Sequence, residues 1–405
     1  MSGPLVGTRV LDLSRILAAP LASQLLADLG AEVIKVERPG VGDDARQYGP
    51  PFFGEPDDNQ SGFYLSANRN KRSITIDHSR PEGATLIAEL AEHSDVLIEN
   101  YRCGVLAKYG LDYPGLCERN PRLVYCSVTG FGQDGPYAQR AGYDGVFQAM
   151  SGMMSVSGVP DGEPGAGPMK VGVSMVDVLT GLYASSAILA ALHYRDAISG
   201  TGQFIDLALL DCGVAALSHY AQNYLVSGVA APRRGNGGFG GIPSQAFQCA
   251  DAEIFVVAST ARQWTGLATA VGRPELATDP RFATVSSRIA NRDLVLSTLN
   301  EIFAERKAAH WISCLEDQDV PVSPVNTMDG VFANPQIQHR QVRRTIEDSN
   351  GNSLDLLANP IRFSATPLDS YAAPPRLGQH THEVLTSVLG KSDADIDKLR
   401  ACHAI

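Results

Sequence analysis

What this sequence lacks narrows its function before any residue is singled out. No Cys-x-x-Cys pair occurs among its seven cysteines, which are scattered from Cys103 to Cys402. The odd number and the spacing give neither a zinc framework nor a disulfide scaffold and suit reduced thiols. An excess of positive charge is missing too: 33 Lys and Arg stand against 44 Asp and Glu, a formal net charge of −11. Binding along a phosphate backbone needs a basic face, so no nucleic-acid partner is expected, and any anionic ligand must be met by a local cluster of cations. The longest apolar runs, such as AILAAL at Ala187 to Leu192, fall far short of the roughly 20 residues that span a bilayer. No membrane span is expected. The opening MSGPLVGTRVLDLS has neither the charged and apolar regions of a secretory leader nor a transit-like composition, and a cytoplasmic location is the expectation.

Familiar catalytic patterns are also missing. The chain has no G-x-x-x-x-G-K-[ST], no H-E-x-x-H and no G-x-S-x-G. Its first strand is not followed by G-x-G-x-x-G, which disfavours dinucleotide redox chemistry. His380 and His382 in GQHTHE stand two apart and would not share a helix face, so they make no metal pair. Neither a metal nor a redox cofactor is expected.

What remains is an ordinary globular composition, 44% hydrophobic and 19% charged over 405 residues, long enough for two or three folded units at roughly 150 residues each. RVLDLS, the helical run Pro20 to Leu29 ending at Gly30, and EVIKVE make a βαβ opening. RSITID, GATLIAELAEH, DVLIEN and RLVYCSVTG continue the alternation. The fold class is therefore α/β, with a Rossmann-like parallel sheet. A small-residue helix from Asp177 to Arg195 follows, then the strand FIDLALLD. Composition shifts at APRRGNGGFGG, which is too glycine-rich for a regular element and marks a loop near a domain boundary. The division is 1–225 for the first part of a large domain, 226–325 for a small domain, and 326–405 for a return linker and the rest of the large domain.

Asp177 sits where a glycine-containing loop meets that helix, in VSMVDVLTGLYA. It reads as an N-cap, since Asp accepts the free N–H groups of a helix start. It also reads as a nucleophile, since a carboxylate held ionised near a helix N-terminus can attack an acyl carbon. Tyr143 and Asp144 begin another helix after TGFGQDGPYAQRAG, as staple and cap or as part of a site. Short cationic clusters recur beside turns: Lys35 and Arg38; Arg69, Lys71 and Arg72; Arg102 and Lys108. Ligands of open parallel sheets bind beyond the carboxyl ends of strands, so cations there suit a phosphate-bearing, nucleotide-like ligand.

Taken together, GTRVLDLSRILAAPLASQLLADLGAEVIKVERPGVGDDAR, NRNKRSITID, DVLIENYRCGVLAKYGL, SVTGFGQDGPYAQRAGYD, VSMVDVLTGLYASSAILAALHYR, TGQFIDLALLD and PPRLGQHTHEVL resemble the class III coenzyme A transferases. That group includes formyl-CoA transferase, carnitine CoA-transferases and α-methylacyl-CoA racemases. NRNKRSI, QRAGYD, LTGLYA and LSHYAQNYL look most like its branch that passes CoA from succinyl-CoA to short dicarboxylates such as glutarate.

The resemblance implies a Rossmann-like large domain built from both chain ends, a smaller inserted α+β domain, and an interlocked homodimer. It implies CoA and acyl-CoA as substrates, a carboxylic acid as second substrate, and Asp177 as the nucleophile, through an aspartyl mixed anhydride and an aspartyl-CoA thioester. By the same likeness Ile16, Leu17, Arg38, Ile76, Asp77, His78, Asn100, Tyr101, Arg102 and Lys108 would contact CoA, with Arg38 and Lys108 on the phosphates. Tyr143 and Asp144 would flank the nucleophile. Arg140 is the first choice for the distal carboxylate of the substrate, with Arg233 and Arg234 competing and Gly240 and Gly241 nearby in the glycine-rich loop. An acyl-CoA isomerase, either a racemase or an enzyme of intramolecular CoA migration, is the alternative. Racemases of the group place a histidine before the acid where this chain has Tyr143, and a phenol of pKa about 10 is a poor base at neutral pH.

Overall fold

A computed structural model describes residues 3–54, 60–238 and 240–405. Met1, Ser2, residues 55–59 and Phe239 of the glycine-rich stretch lie outside the described residues. The chain divides into two compact units, one of residues 1–153, 170–229 and 339–405, the other of 154–169 and 230–338. The short stretch 154–169, kept with the first segment by the sequence reading, therefore goes with the second unit.

The first unit is built on six strands: β1 (Arg9–Asp12), β2 (Glu32–Glu37), β3 (Lys71–Thr75), β4 (Val96–Glu99), β5 (Val124–Thr129) and β6 (Phe204–Ala208). They lie in the order β3-β2-β1-β4-β5-β6, every neighbouring pair parallel. The strand order reverses between β1 and β4. Loops leaving those two strands diverge and open a crevice beyond their carboxyl ends.

Near-continuous apolar strands are what a sheet covered on both faces requires. Val10, Val33, Val96, Ile98 and Val124 point to one face, where they pack with Ala19, Ala22 and Leu26 of α1 (Ala18–Asp28) and Ala184 and Ile188 of α5 (Met175–Tyr194). Leu11, Ile34, Ile74, Leu97 and Tyr125 point to the other, against Leu86, Ile87 and Leu90 of α2 (Pro81–Glu92) and Val384, Leu385 and Ile396 from the C-terminal helices. Each such aliphatic chain stabilises the fold by about 1.5–3 kcal/mol when fully buried. Three more helices border the sheet: α3 (Tyr113–Arg119), α4 (Asp144–Met150) and α6 (Leu209–Ala216).

Helix α5 corrects one expectation. With its π-helical continuation to Ser199 it is long and apolar enough, by length and composition, to cross a membrane, where the sequence reading counted no such run. Single residues such as Ser185, Ser186 and His193 break its apolar runs without breaking its helical length. Alanines and Gly181 bring α5 against α1 so closely that a Cβ on Gly181 would lie 2.7 Å from the carbonyl oxygen of Ala18.

The second unit has a three-stranded antiparallel sheet of Ser244–Gln248, Glu253–Val257 and Val322–Pro324. Its core includes Phe247, Trp264, Phe282, Phe303 and Trp311. Arg288 is buried there, donating to the carbonyls of Ile242, Phe282 and Ser259 at 2.7, 2.9 and 3.0 Å.

Candidate active site

The crevice at the strand reversal is held open by side-chain brackets. Asn100, just past β4, accepts from the backbone N–H of Arg15 at 2.9 Å and donates to its carbonyl at 2.7 Å. The loops after β1 and β4 are thus locked together. Ile16 adopts φ 72°, a left-handed conformation that is an outlier for a β-branched residue. Its N–H donates to Asp43 Oδ1 at 3.0 Å.

Behind this loop lies a network of buried charges. Lys35 Nζ donates to Asp43 Oδ2 and to the Ser14 carbonyl, both at 2.9 Å. Lys71 Nζ reaches Asp12 Oδ2 at 3.0 Å, and Arg46 pairs with Glu37. Burial alone would raise the Asp12 pKa, but Lys71, Lys35 and the hydroxyls of Ser14 and Ser23 hold it down at about 2.

These pairs correct part of the phosphate expectation. Lys35 and Lys71 are fully buried, Arg69 is buried against Asp28, and Arg72 pairs with Glu32 and Glu383. Lys71 and Arg72 begin β3 rather than end it, which places them away from the carboxyl edge. Arg38, Arg102 and Lys108 remain exposed.

One stretch of the crevice is lined by Arg38, Ile76, His78, Tyr101 and Arg15. Here His78 meets Tyr101 and Tyr109 edge-on, each at 5.2 Å between centroids, and burial lowers its pKa. The next stretch, which shares Arg15 and Tyr101, holds Ile16, Leu17, Asn100, Arg102, Arg140, Tyr143 and Asp177. Asp77 does not line either stretch; its carboxylate accepts from Ser79 N and Oγ at 2.9 and 2.6 Å. Lys108 lies on the turn Leu106–Tyr109. Arg140 stacks on Tyr137, its guanidinium carbon 3.8 Å from the ring centre.

Asp177 is the third residue of α5, and Ser174 holds the N-cap position, so the capping interpretation of Asp177 is corrected. The cap comes from elsewhere in the chain. Asp144 Oδ1 accepts the N–H of Val176 at 2.8 Å and of Asp177 at 3.3 Å, while Gln148 Nε2 steadies Asp144 Oδ2 at 2.6 Å. This also changes the expected electrostatics. The N–H groups that would have stabilised an ionised Asp177 are occupied by a second acid. Burial, with the charge of Asp144 added, raises the Asp177 pKa to about 7.

Arg233 and Arg234 fall in the second unit, Arg233 donating to the carbonyl of Val159 at 3.0 Å and pairing with Asp161. Gly240 and Gly241 belong to the same unit. Arg140, the first choice for the carboxylate holder, lines the crevice that contains Asp177. Sequence reasoning missed Arg15, whose guanidinium lies 5.1 Å from the Tyr101 ring centre and 3.1 Å from Asp44. Its place directly after the first strand was the available signal. It also missed Asp43, whose role depends on a contact between two loops.

A parallel sheet with a crevice at its strand reversal thus brings the half-buried acids Asp177 and Asp44 together with the exposed cation Arg102, an arrangement suited to an anionic, nucleotide-like ligand. The sequence pattern of CoA-transferase family III matches residues 5–381, and the chain belongs to that family of enzymes. It is 42% identical to the human succinyl-CoA:glutarate CoA-transferase over 99% of this chain and 90% of that protein. It is 42% identical to the succinate–glutarate CoA-transferase of Agrobacterium fabrum over 95% of this chain and 96% of that one. A CAIB/BAIF family protein from Brucella suis, 42% identical in sequence, superimposes with a TM-score of 0.85 over 96% of this chain and all of that one.

Proposed function

We propose that this enzyme moves CoA from succinyl-CoA to glutarate with Asp177 as the covalent carrier. The observation that carries the mechanism is the position of Asp177: half-buried, in the first turn of α5, and in one crevice with Arg15, Arg102 and Arg140. An Asp177 oxygen attacks the thioester carbon of succinyl-CoA, the C–S bond breaks, and CoA leaves as thiolate from a succinyl–aspartyl anhydride. The thiolate attacks the aspartyl carbonyl and releases succinate, leaving an aspartyl-CoA thioester. Glutarate attacks that thioester and again frees the thiolate, which takes the glutaryl group from the new anhydride and restores Asp177. Dividing one difficult exchange into several acyl transfers is the advantage of a covalent carrier.

A pKa near 7 suits this work. A poorly solvated carboxylate is a better nucleophile than one in water, yet about half of it is ionised at neutral pH. In this reading Arg140, which shares the crevice with Asp177, meets the distal carboxylate, and Arg38 and Arg102, with exposed Lys108 on the neighbouring turn, meet the CoA phosphates. Tyr143, not a histidine, precedes Asp144, which favours transfer over racemisation. The test is exchange between succinyl-CoA and glutarate. Product formation requiring both substrates supports the proposal, whereas turnover with no added acid, or deuterium entering the α-carbon, contradicts it.

A homodimer belongs to the same proposal. Helix His219–Ser227 buries none of its residues, and Leu225 and Val226 are 75% and 79% exposed. Leu182 and Tyr183 on α5 are exposed as well. Apolar surface of this extent on helices calls for a covering partner, and a second copy fits. Sedimentation giving a mass near twice 43.1 kDa supports this, and a monomer would contradict it.

A further inference from the structure

The buried pair Lys35–Asp43 lies outside the reaction above, yet both of its ends touch the loop that forms the crevice. Asp43 Oδ1 accepts from Ile16 N at 3.0 Å and from Ala45 N at 2.9 Å. Its Oδ2 accepts from Lys35 Nζ at 2.9 Å, and Lys35 donates as well to the Ser14 carbonyl at 2.9 Å. Both charged side chains are completely buried. Such a pair is weak as a source of net stability, because desolvation offsets its attraction, and its value here is geometric. The residue it grips, Ile16, has φ 72°, a conformation a β-branched residue leaves unless its surroundings over-determine it.

We infer that Asp43, held by Lys35, is a positioning residue that pins Ile16 in its left-handed turn and thereby fixes the wall of the crevice on which the acyl-CoA lies. Three anchors converge on this turn: Asp43 on the N–H of Ile16, Lys35 on the carbonyl of Ser14, and Asn100 on the backbone of Arg15. Only the first acts directly on the strained residue. If Asp43 lets go, Ile16 relaxes to a negative φ, and Arg15 and Leu17, which line the crevice on either side of it, turn away. Asp43 and Lys35 border the first stretch of the crevice, but both side chains are fully buried, so Asp43 acts through Ile16. The inference rests on the assignment of the crevice to CoA.

The experiment compares CoA affinity, measured calorimetrically, in variants that all lack the buried charges. Lys35→Met with Asp43→Asn keeps a side-chain oxygen for the Ile16 N–H. Lys35→Met with Asp43→Leu does not. Removing both charges together avoids leaving one buried ion unpaired, and thermal melts check folding of each variant. The Asn variant should bind CoA within about threefold of the wild type, and the Leu variant about tenfold or more weakly, as expected when a strained turn loses its restraint. Adding Ile16→Gly to the Leu variant should recover most of the affinity, because glycine adopts positive φ freely. Equal affinities in the Asn and Leu variants, or failure of Ile16→Gly to recover binding in a folded Leu variant, would overturn the positioning role. A separate outcome, wild-type CoA binding unchanged by Arg38→Ala and Arg102→Ala, would instead remove the crevice as the CoA site, and this inference with it.

Discussion

Asp144 caps the helix of Asp177: one carboxylate accepts the N–H of the residue bearing the other, at 3.3 Å, and that of Val176 at 2.8 Å. The same contact that fixes the start of α5 places a second acid beside Asp177. It also uses the helix donors that would otherwise favour the charged form of Asp177.

A pH dependence follows from this arrangement. With the Asp177 pKa near 7, the rate of covalent adduct formation should rise through neutrality and level off about one unit above it. Asp144→Asn keeps an oxygen for the two N–H groups and removes the like charge, so the rise should move to lower pH. Single-turnover rates from pH 5 to 9 measure both; an unmoved profile would show that Asp144 does not set the acidity of Asp177.

Stability should carry the opposite mark of the same acid. Asp177 binds its proton more tightly folded than unfolded, so between about pH 4 and 7 the native state holds more protons and its stability falls as pH rises. Asp177→Asn removes that loss. The variant should be more stable than the wild type by about 1–3 kcal/mol above pH 7, with little difference near pH 4. Denaturant titrations at the two pH values check this.

Asp12 behaves in the usual direction for a paired acid. Its folded pKa of about 2 lies below the unfolded value, so its contribution is present above pH 4 and is lost as pH falls toward 2. Asp12→Ala leaves the buried Lys71 without its paired carboxylate and should destabilise the protein by about 3–5 kcal/mol, read from chemical denaturation at pH 7.

Gly181 tests the packing that sets the crevice floor. Since a Cβ there would lie 2.7 Å from the Ala18 carbonyl oxygen, Gly181→Ala must push α1 and α5 apart. A loss of about 1–3 kcal/mol is expected, with a fall in transfer rate, because Ala18 and Asp177 both line the crevice. A fully active and equally stable variant would contradict that account of the packing.

Much of the sheet was legible in the sequence because strands buried on both faces read as apolar runs, as in RVLDLS, EVIKVE and DVLIEN. The helix after Asp177 was legible for its lack of breakers. Charge was the poorer guide. Lys35, Arg69 and Lys71 look like surface cations in one dimension, but their partners Asp43, Asp28 and Asp12 are brought to them only by the fold. Asp144 was placed near Asp177 by resemblance, while its capping of α5 depends on a contact between residues 32 apart in sequence. The apolar character of α5 shows only over its full helical length, because residues such as Ser185, Ser186 and His193 interrupt its apolar runs.

The central claim is that acyl carbon becomes bonded to Asp177 during turnover, and intact-protein mass spectrometry tests it most directly. Wild-type protein mixed with succinyl-CoA and quenched within the first turnovers should carry a succinyl or CoA adduct that hydroxylamine removes. Peptide mapping should place it on Asp177, and Asp177→Ala should lose the adduct together with about a thousandfold or more of the transfer rate. An adduct on another residue, or an Asp177→Ala variant that transfers CoA at the wild-type rate, would contradict it.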